Sequence, residues 1–158
     1  MLKLTVYTVA TLASLAGAAL AEPMKLTVNQ AFSVSVGIDQ LNKGATQIIK
    51  DGAKETQAQT PFAFGPGFRV ALAVNASHIS DAIGPAQRAL KAARDKLASG
   101  GGELDAEARK AIDAEAEKIG AQVVEIDLTP ITEDQLALDK NPGISAATIQ
   151  ALLPIFKR

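Results

Sequence analysis

His78 is the only histidine of the chain, and it sits in Asn75-Ala76-Ser77-His78-Ile79-Ser80-Asp81. A hydroxyl, an imidazole and a carboxylate are the groups of a hydrolytic triad, in which the hydroxyl attacks, the imidazole takes its proton and the carboxylate orients the ring. The spacing works against that chemistry. Groups so close in sequence do not converge easily, and neither Ser77 nor Ser80 lies in a Gly-x-Ser-x-Gly elbow. The competing reading is a turn whose Asn, Ser and Asp side chains satisfy local backbone groups and cap the next helix. Asn75, Ser77, His78 and Asp81 are therefore candidate ligand-binding residues, and no residue is assigned as catalytic. Asn75-Ala76-Ser77 is also formally a glycosylation sequon.

A metal site would have to combine this histidine with carboxylates. Glu125 and Asp127 alternate on one side of a strand-like run, and Asp39 can approach them if the sheet is arranged suitably. The plainer reading is a solvated face, and no metal is assigned. There is no calcium loop, phosphate loop or dinucleotide fingerprint, and Gly100-Gly101-Gly102 follows a helical pattern without a Lys-Ser/Thr after it. The chain has no cysteine, which removes thiol nucleophiles, thiolate metal sites and covalent haem attachment. No cofactor is implied.

Phe62, Phe64 and Phe68 gather around Gly65-Pro66-Gly67 in a connector that runs from Thr56 to Pro66. They read as a loop that plugs the core with phenyl rings. The alternative is an exposed lid over an apolar ligand, which adds Phe62 and Phe64 to the candidate binding residues. The chain contains no tryptophan and one tyrosine, Tyr7, which argues against stacking on bases or sugars.

The elements that must position these residues follow from periodicity. Phe68, Val70, Leu72 and Val74 alternate with Arg69, Ala71 and Ala73, the period of a half-buried strand. From Ile83 the spacing becomes three and four, with Pro85 in a first helical turn and Arg88, Lys91, Arg94 and Lys96 on the polar side. The three glycines end that helix. A second, acidic helix runs from Asp105 to Gly120, making a helical hairpin, and Val124, Ile126 and Leu128 mark another strand. Earlier in the chain Val34, Val36 and Ile38 alternate with serines and Gly37 and read as a strand, against a rival helix starting near Asn29. A helix from Asp39 through about Gln57 follows. Thr132 with Gln135 forms a capping box, Ser145 caps the last helix, and Pro154 interrupts it. The expected fold is α/β or α+β: a two-layer sandwich of a small mixed sheet and helices, with an all-α bundle as the alternative. Its open sheet face, showing Ser33, Ser35, Arg69, Ala71, Ala73, Glu125 and Asp127, is the expected docking surface.

Residues 1–21 carry one early charge, Lys3, an apolar run from Leu4 to Leu20 and a small-residue end, the pattern of a secretory signal peptide cleaved before Glu22. Residues 22–158 then form a single globular domain, periplasmic or secreted, with no stable membrane insertion after cleavage. A formal charge of −1 offers nothing to nucleic acid. An exported chain without cysteine is held together by packing alone.

Val36-Gly37-Ile38-Asp39, Val70-Ala71-Leu72-Ala73-Val74-Asn75 and Glu117-Lys118-Ile119-Gly120-Ala121-Gln122-Val123-Val124-Glu125 together resemble the strand and helix succession of the DsrE/DsrF-like sulfur-relay fold. The resemblance implies a fold and an oligomerising habit. It does not imply sulfur transfer, because that family's cysteine has no counterpart, Asp127 standing near its expected place. The one-sided strand pattern also departs from that family's sheet, which is covered on both faces. The function expected is a small, non-catalytic binding or accessory protein that pairs with itself or with an envelope protein. The alternative is a small hydrolase or metal-assisted enzyme using the His78 loop.

Overall fold

A computed structural model of the protein describes residues 23–51, 54–98 and 106–157. The expected leader and the three glycines lie outside them. Strand β1, Met24–Thr27, leads directly into helix α1, Val28–Lys43. Thr27 starts the helix with a capping box: its hydroxyl accepts from the Gln30 N–H, and the Gln30 side chain accepts from the Thr27 N–H. Two otherwise orphaned donors are thereby satisfied. Ala31, Val34, Ile38 and Leu41 fill the core from α1, each almost wholly buried. The Ser33 hydroxyl donates to the Asn29 carbonyl one turn back, so the serines are compatible with a helix.

The strand expected at 33–38 is therefore helical, and the rival reading holds. Gly37 misled because its role is packing. A Cβ there would stand 3.0 Å from Leu152 Cγ and 3.2 Å from Ala151 Cβ, so the missing side chain lets helix α5, Ala146–Leu152, come close to α1. Gln40 and Thr148 join the same two helices through a 2.6 Å hydrogen bond.

The helix expected from Asp39 to Gln57 stops at Lys43. Strands β2, Ala45–Asp51, and β3, Lys54–Thr60, form an antiparallel hairpin with Ala45 opposite Thr60 and Asp51 opposite Lys54. Helix α2, Pro66–Ala98, then runs for 33 residues, a contour of about 50 Å at 1.5 Å per residue. It absorbs both the strand expected at 68–74 and the turn expected at 75–81. Phe68, Leu72, Asn75, Ile79 and Ile83 form its buried stripe, at steps of three and four. Val70 and Val74, which produced the apparent alternation, are exposed.

Pro66 opens α2, and Pro85, expected in a first turn, lies inside it. A proline there removes one backbone bond, leaving the Asp81 carbonyl without its i+4 donor. Gly67 lies in the first turn of α2, and nothing stands within 4 Å of where its Cβ would be. Gly67→Ala is expected to stabilise the fold by about 0.5–1 kcal/mol, read as a higher denaturant midpoint at unchanged slope.

Helix α3, Ala106–Gly120, packs back on α2 with Ile112 and Ile119 buried, and forms the second arm of the helical hairpin. Strand β4, Val123–Ile126, pairs antiparallel with β1, Met24 opposite Ile126. Helix α4, Glu133–Leu136, has the Thr132–Gln135 capping box, and Ser145 caps α5 through the Thr148 N–H. Pro154 turns the chain into a 3₁₀ turn, Leu153–Ile155, after which Phe156 bridges Ile131. The fold is thus a small mixed α+β structure, with α1 and α2 packed against the antiparallel β1–β4 pair and β2–β3 forming a separate two-stranded sheet. Among the described residues no helix is long and apolar enough to cross a membrane.

Candidate functional site

Asn75 and His78 lie one turn apart on α2 and face the chain that leaves β4. Asn75 is fully buried. Its amide donates to the Thr129 carbonyl at 2.9 Å and its oxygen accepts from the Thr129 N–H at 2.8 Å, so one side chain replaces a missing pair of backbone bonds. His78 Nδ1 lies 2.5 Å from the Asp127 carbonyl oxygen. A carbonyl only accepts, so Nδ1 carries the hydrogen in this contact. The two residues act as a clamp that holds 127–129 against α2.

Ser77, Ser80 and Asp81 are exposed on α2, and none of them hydrogen-bonds to His78. The helix separates what a turn would have gathered: Ser77 is rotated by about 100° from His78 and Ser80 by about 200°. The sequon fares the same way, since a fully buried, doubly bonded Asn75 offers no amide to a glycosylating enzyme while the chain is folded.

The aromatic connector is fastened from three sides. Phe62 and Phe68 are buried and Phe64 is half-buried, with ring centroids 5.8 Å apart for Phe62–Phe64 and 5.0 Å apart, edge to face, for Phe64–Phe68. Arg69 donates to the Phe62 carbonyl at 2.8 Å. Asn141 accepts from the Ala63 N–H at 2.7 Å and donates to the Leu136 carbonyl at 2.8 Å. The rings plug the core as the plainer reading expects. Nothing in the sequence distinguishes Asn141 from an ordinary residue of an Asn-Pro-Gly turn; its burial is the information that was missing.

Two of the three candidate carboxylates are engaged by lysines. Glu125 pairs with Lys25 at 3.2 Å across the β1–β4 ladder, and Asp39 pairs with Lys43 one turn along α1. These exposed pairs contribute little, about 0–1 kcal/mol each. Among the described residues no group of three or more His, Cys, Asp or Glu side chains could hold a metal ion. The expected open sheet face is not formed either, because Ser33, Ser35, Arg69, Ala71 and Ala73 belong to α1 and α2.

Two other surfaces stand out. One is an apolar cleft of about 240 Å³ where α1, α2 and α3 meet, walled by Val28, Phe32, Ile83, Leu90, Ala116 and Gly120; Phe32 remains half exposed at its edge. The other is the β2–β3 hairpin. It has seven paired residues on each strand, about 23 Å of ladder, and among the described residues no other helix or strand packs along it. Beyond their bonds to each other, its described backbone groups have no backbone partner, and Ile48, at the middle of β2, is 60% exposed. Ala45 at its root is half-buried against the core.

No family model matches the chain, nor does any curated protein or solved structure with which it was compared.

Proposed function

We propose that the chain is an exported, non-catalytic binding or accessory protein, periplasmic or secreted, whose docking element is the β2–β3 hairpin. The carrying observation is a seven-residue ladder along which no other described helix or strand packs and whose outer edges are unpaired among the described residues. A two-stranded hairpin is marginally stable in water by itself, and an open edge is a template for another strand. A partner strand laid on the edge supplies the backbone bonds the hairpin lacks, with affinity from the main chain. The polar side chains that suggested chemistry, Asn75 and His78, are already engaged in holding backbone, which favours binding over catalysis. The leader-like Leu4–Leu20 run supports export.

The test is to purify the protein gently from its native compartment, read its amino terminus, and weigh it intact without denaturation. An amino terminus at Glu22 and a retained mass are expected. A variant in which residues 46–59 are replaced by a short flexible link should keep cooperative unfolding of the body and lose the retained mass. Retention of the same mass by the shortened chain would place the docking surface elsewhere and sink the proposal.

A further inference from the structure

The hairpin's free edges are not equivalent. Two residues separate Asp51 from Lys54, so that pair is a hydrogen-bonded one, and bonded and non-bonded pairs alternate from there toward the root. The inward-bonded residues of β2 are then 45, 47, 49 and 51, and the outward-pointing backbone groups belong to Thr46, Ile48 and Lys50. On β3 they belong to Glu55, Gln57 and Gln59. The β2 set is symmetric about Ile48, the large apolar side chain that the edge leaves 60% exposed.

We infer that the occupant of the β2 edge is a second copy of this chain, paired antiparallel about a two-fold axis at Ile48. This rests on the reading of the hairpin as a docking element and gives it a first partner. In that register Ile48 pairs with its own counterpart and Thr46 with Lys50 of the other copy, so every outward N–H and C=O of β2 finds a partner. The two hairpins become one four-stranded antiparallel sheet with Ile48 withdrawn from water at its centre. A register shift of two would set Ile48 against Thr46 or Lys50, leaving one outward position of each strand without a partner and losing the apolar contact. The β3 edge has the same symmetry about Gln57 but no apolar residue there, which is why the β2 edge is assigned.

The chain's lack of cysteine makes a single introduced thiol a clean reporter. Bonded antiparallel partners have Cα atoms about 5.5 Å apart, within disulfide range. Ile48→Cys in the mature chain should convert to a covalent dimer under mild oxidant at least tenfold faster than Gln57→Cys. The unsubstituted chain should show a concentration-dependent dimer by sedimentation. Ile48→Pro should be monomeric yet folded, because the N–H it removes points away from β3. A strictly monomeric unsubstituted chain at tens of micromolar, or equal linking at positions 48 and 57, would overturn the self-pairing. If that monomer still retains a different protein, and loses it in the variant shortened across 46–59, the hairpin remains the docking element and only its occupant has been misassigned. If the shortened variant still dimerises, both readings fail together.

Discussion

Asn75→Ala is expected to lower the stability of the fold by about 2–3 kcal/mol, although the residue lies in the middle of a helix and touches no ligand. Two hydrogen bonds to Thr129 disappear, at about 1 kcal/mol each, and a fully buried amide leaves a void in its place. Thr129 is itself exposed, so water can satisfy part of its freed backbone, which holds the loss below the upper range for buried polar networks. The measurement is the denaturant midpoint at constant slope; a change under 0.5 kcal/mol would show that the clamp is incidental. Asn75→Asp separates hydrogen bonding from volume. It still accepts from the Thr129 N–H, but its second oxygen meets the Thr129 carbonyl unless it is protonated. Burial and that repulsion raise its folded pKa above the unfolded value of about 3.9. The folded state then binds the extra proton, so relative to the unsubstituted protein this variant should be least impaired below about pH 4 and lose stability as pH rises.

The same residue explains why the sequence was misread over 68–81. The buried stripe of α2 is Phe68, Leu72, Asn75, Ile79 and Ile83, and a polar residue occupies its third place. Counting apolar residues breaks the helical period at Asn75, while exposed Val70 and Val74 supply a period of two. Local pattern could not reveal that the Asn is inside, because its partner is 54 residues away. The stretch Ala31 to Leu41 was ambiguous for a related reason: Gly37 weakens a helix by propensity, and only the approach of Leu152 shows what the glycine is for.

Legibility was better where a signal is local. The second arm of the helical hairpin, strand β4, the Thr132–Gln135 box and the Ser145 cap rest on residues within one or two turns of one another, and each formed near its expected position. The mixed α+β class was readable for the same reason. The β2–β3 hairpin had local signals too, with a Gly at position 52 between segments bearing Thr46, Ile48, Thr56 and Thr60. They were outweighed by Leu41, Ala45 and Ile48, whose helical spacing runs across the real end of α1. Of the candidate site residues, Asn75 and His78 converge on one task, the fastening of 127–129, whereas Ser77 and Asp81 do not join them. Phe62 and Phe64 are held in a plug by Arg69 and Asn141, neither of which a reading by motif would single out.

Gly44 is where that real end of α1 was encoded, and Gly44→Ala is the more damaging substitution, with an expected loss of about 3–4 kcal/mol. Its φ of 82° and ψ of −172° fall in a region that glycine alone occupies freely, at a cost of about 1–3 kcal/mol for other residues. Space compounds the strain. A Cβ there would stand 2.2 Å from the Thr60 carbonyl oxygen and 2.9 Å from Pro61 Cα, backbone atoms that cannot rotate away as a side-chain tip can. Relief requires either unwinding the last turn of α1, where the Gly44 N–H donates to the Gln40 carbonyl at 3.2 Å, or prising Thr60 from Ala45 at the root of the hairpin. The second route disturbs fewer buried contacts, so the damage should be local. Amide exchange in β2 and β3 should accelerate well before that of α2 and β4, and whatever the hairpin binds should be lost in parallel. Gly65→Ala, at the N-cap of α2 with nothing within 4 Å of the added carbon, is the control and should cost no more than about 1 kcal/mol, the loss of a favourable cap residue. Equal losses at positions 44 and 65 would mean that glycine content in the connectors, rather than the closure of α1 on the hairpin root, governs the stability of this end of the molecule.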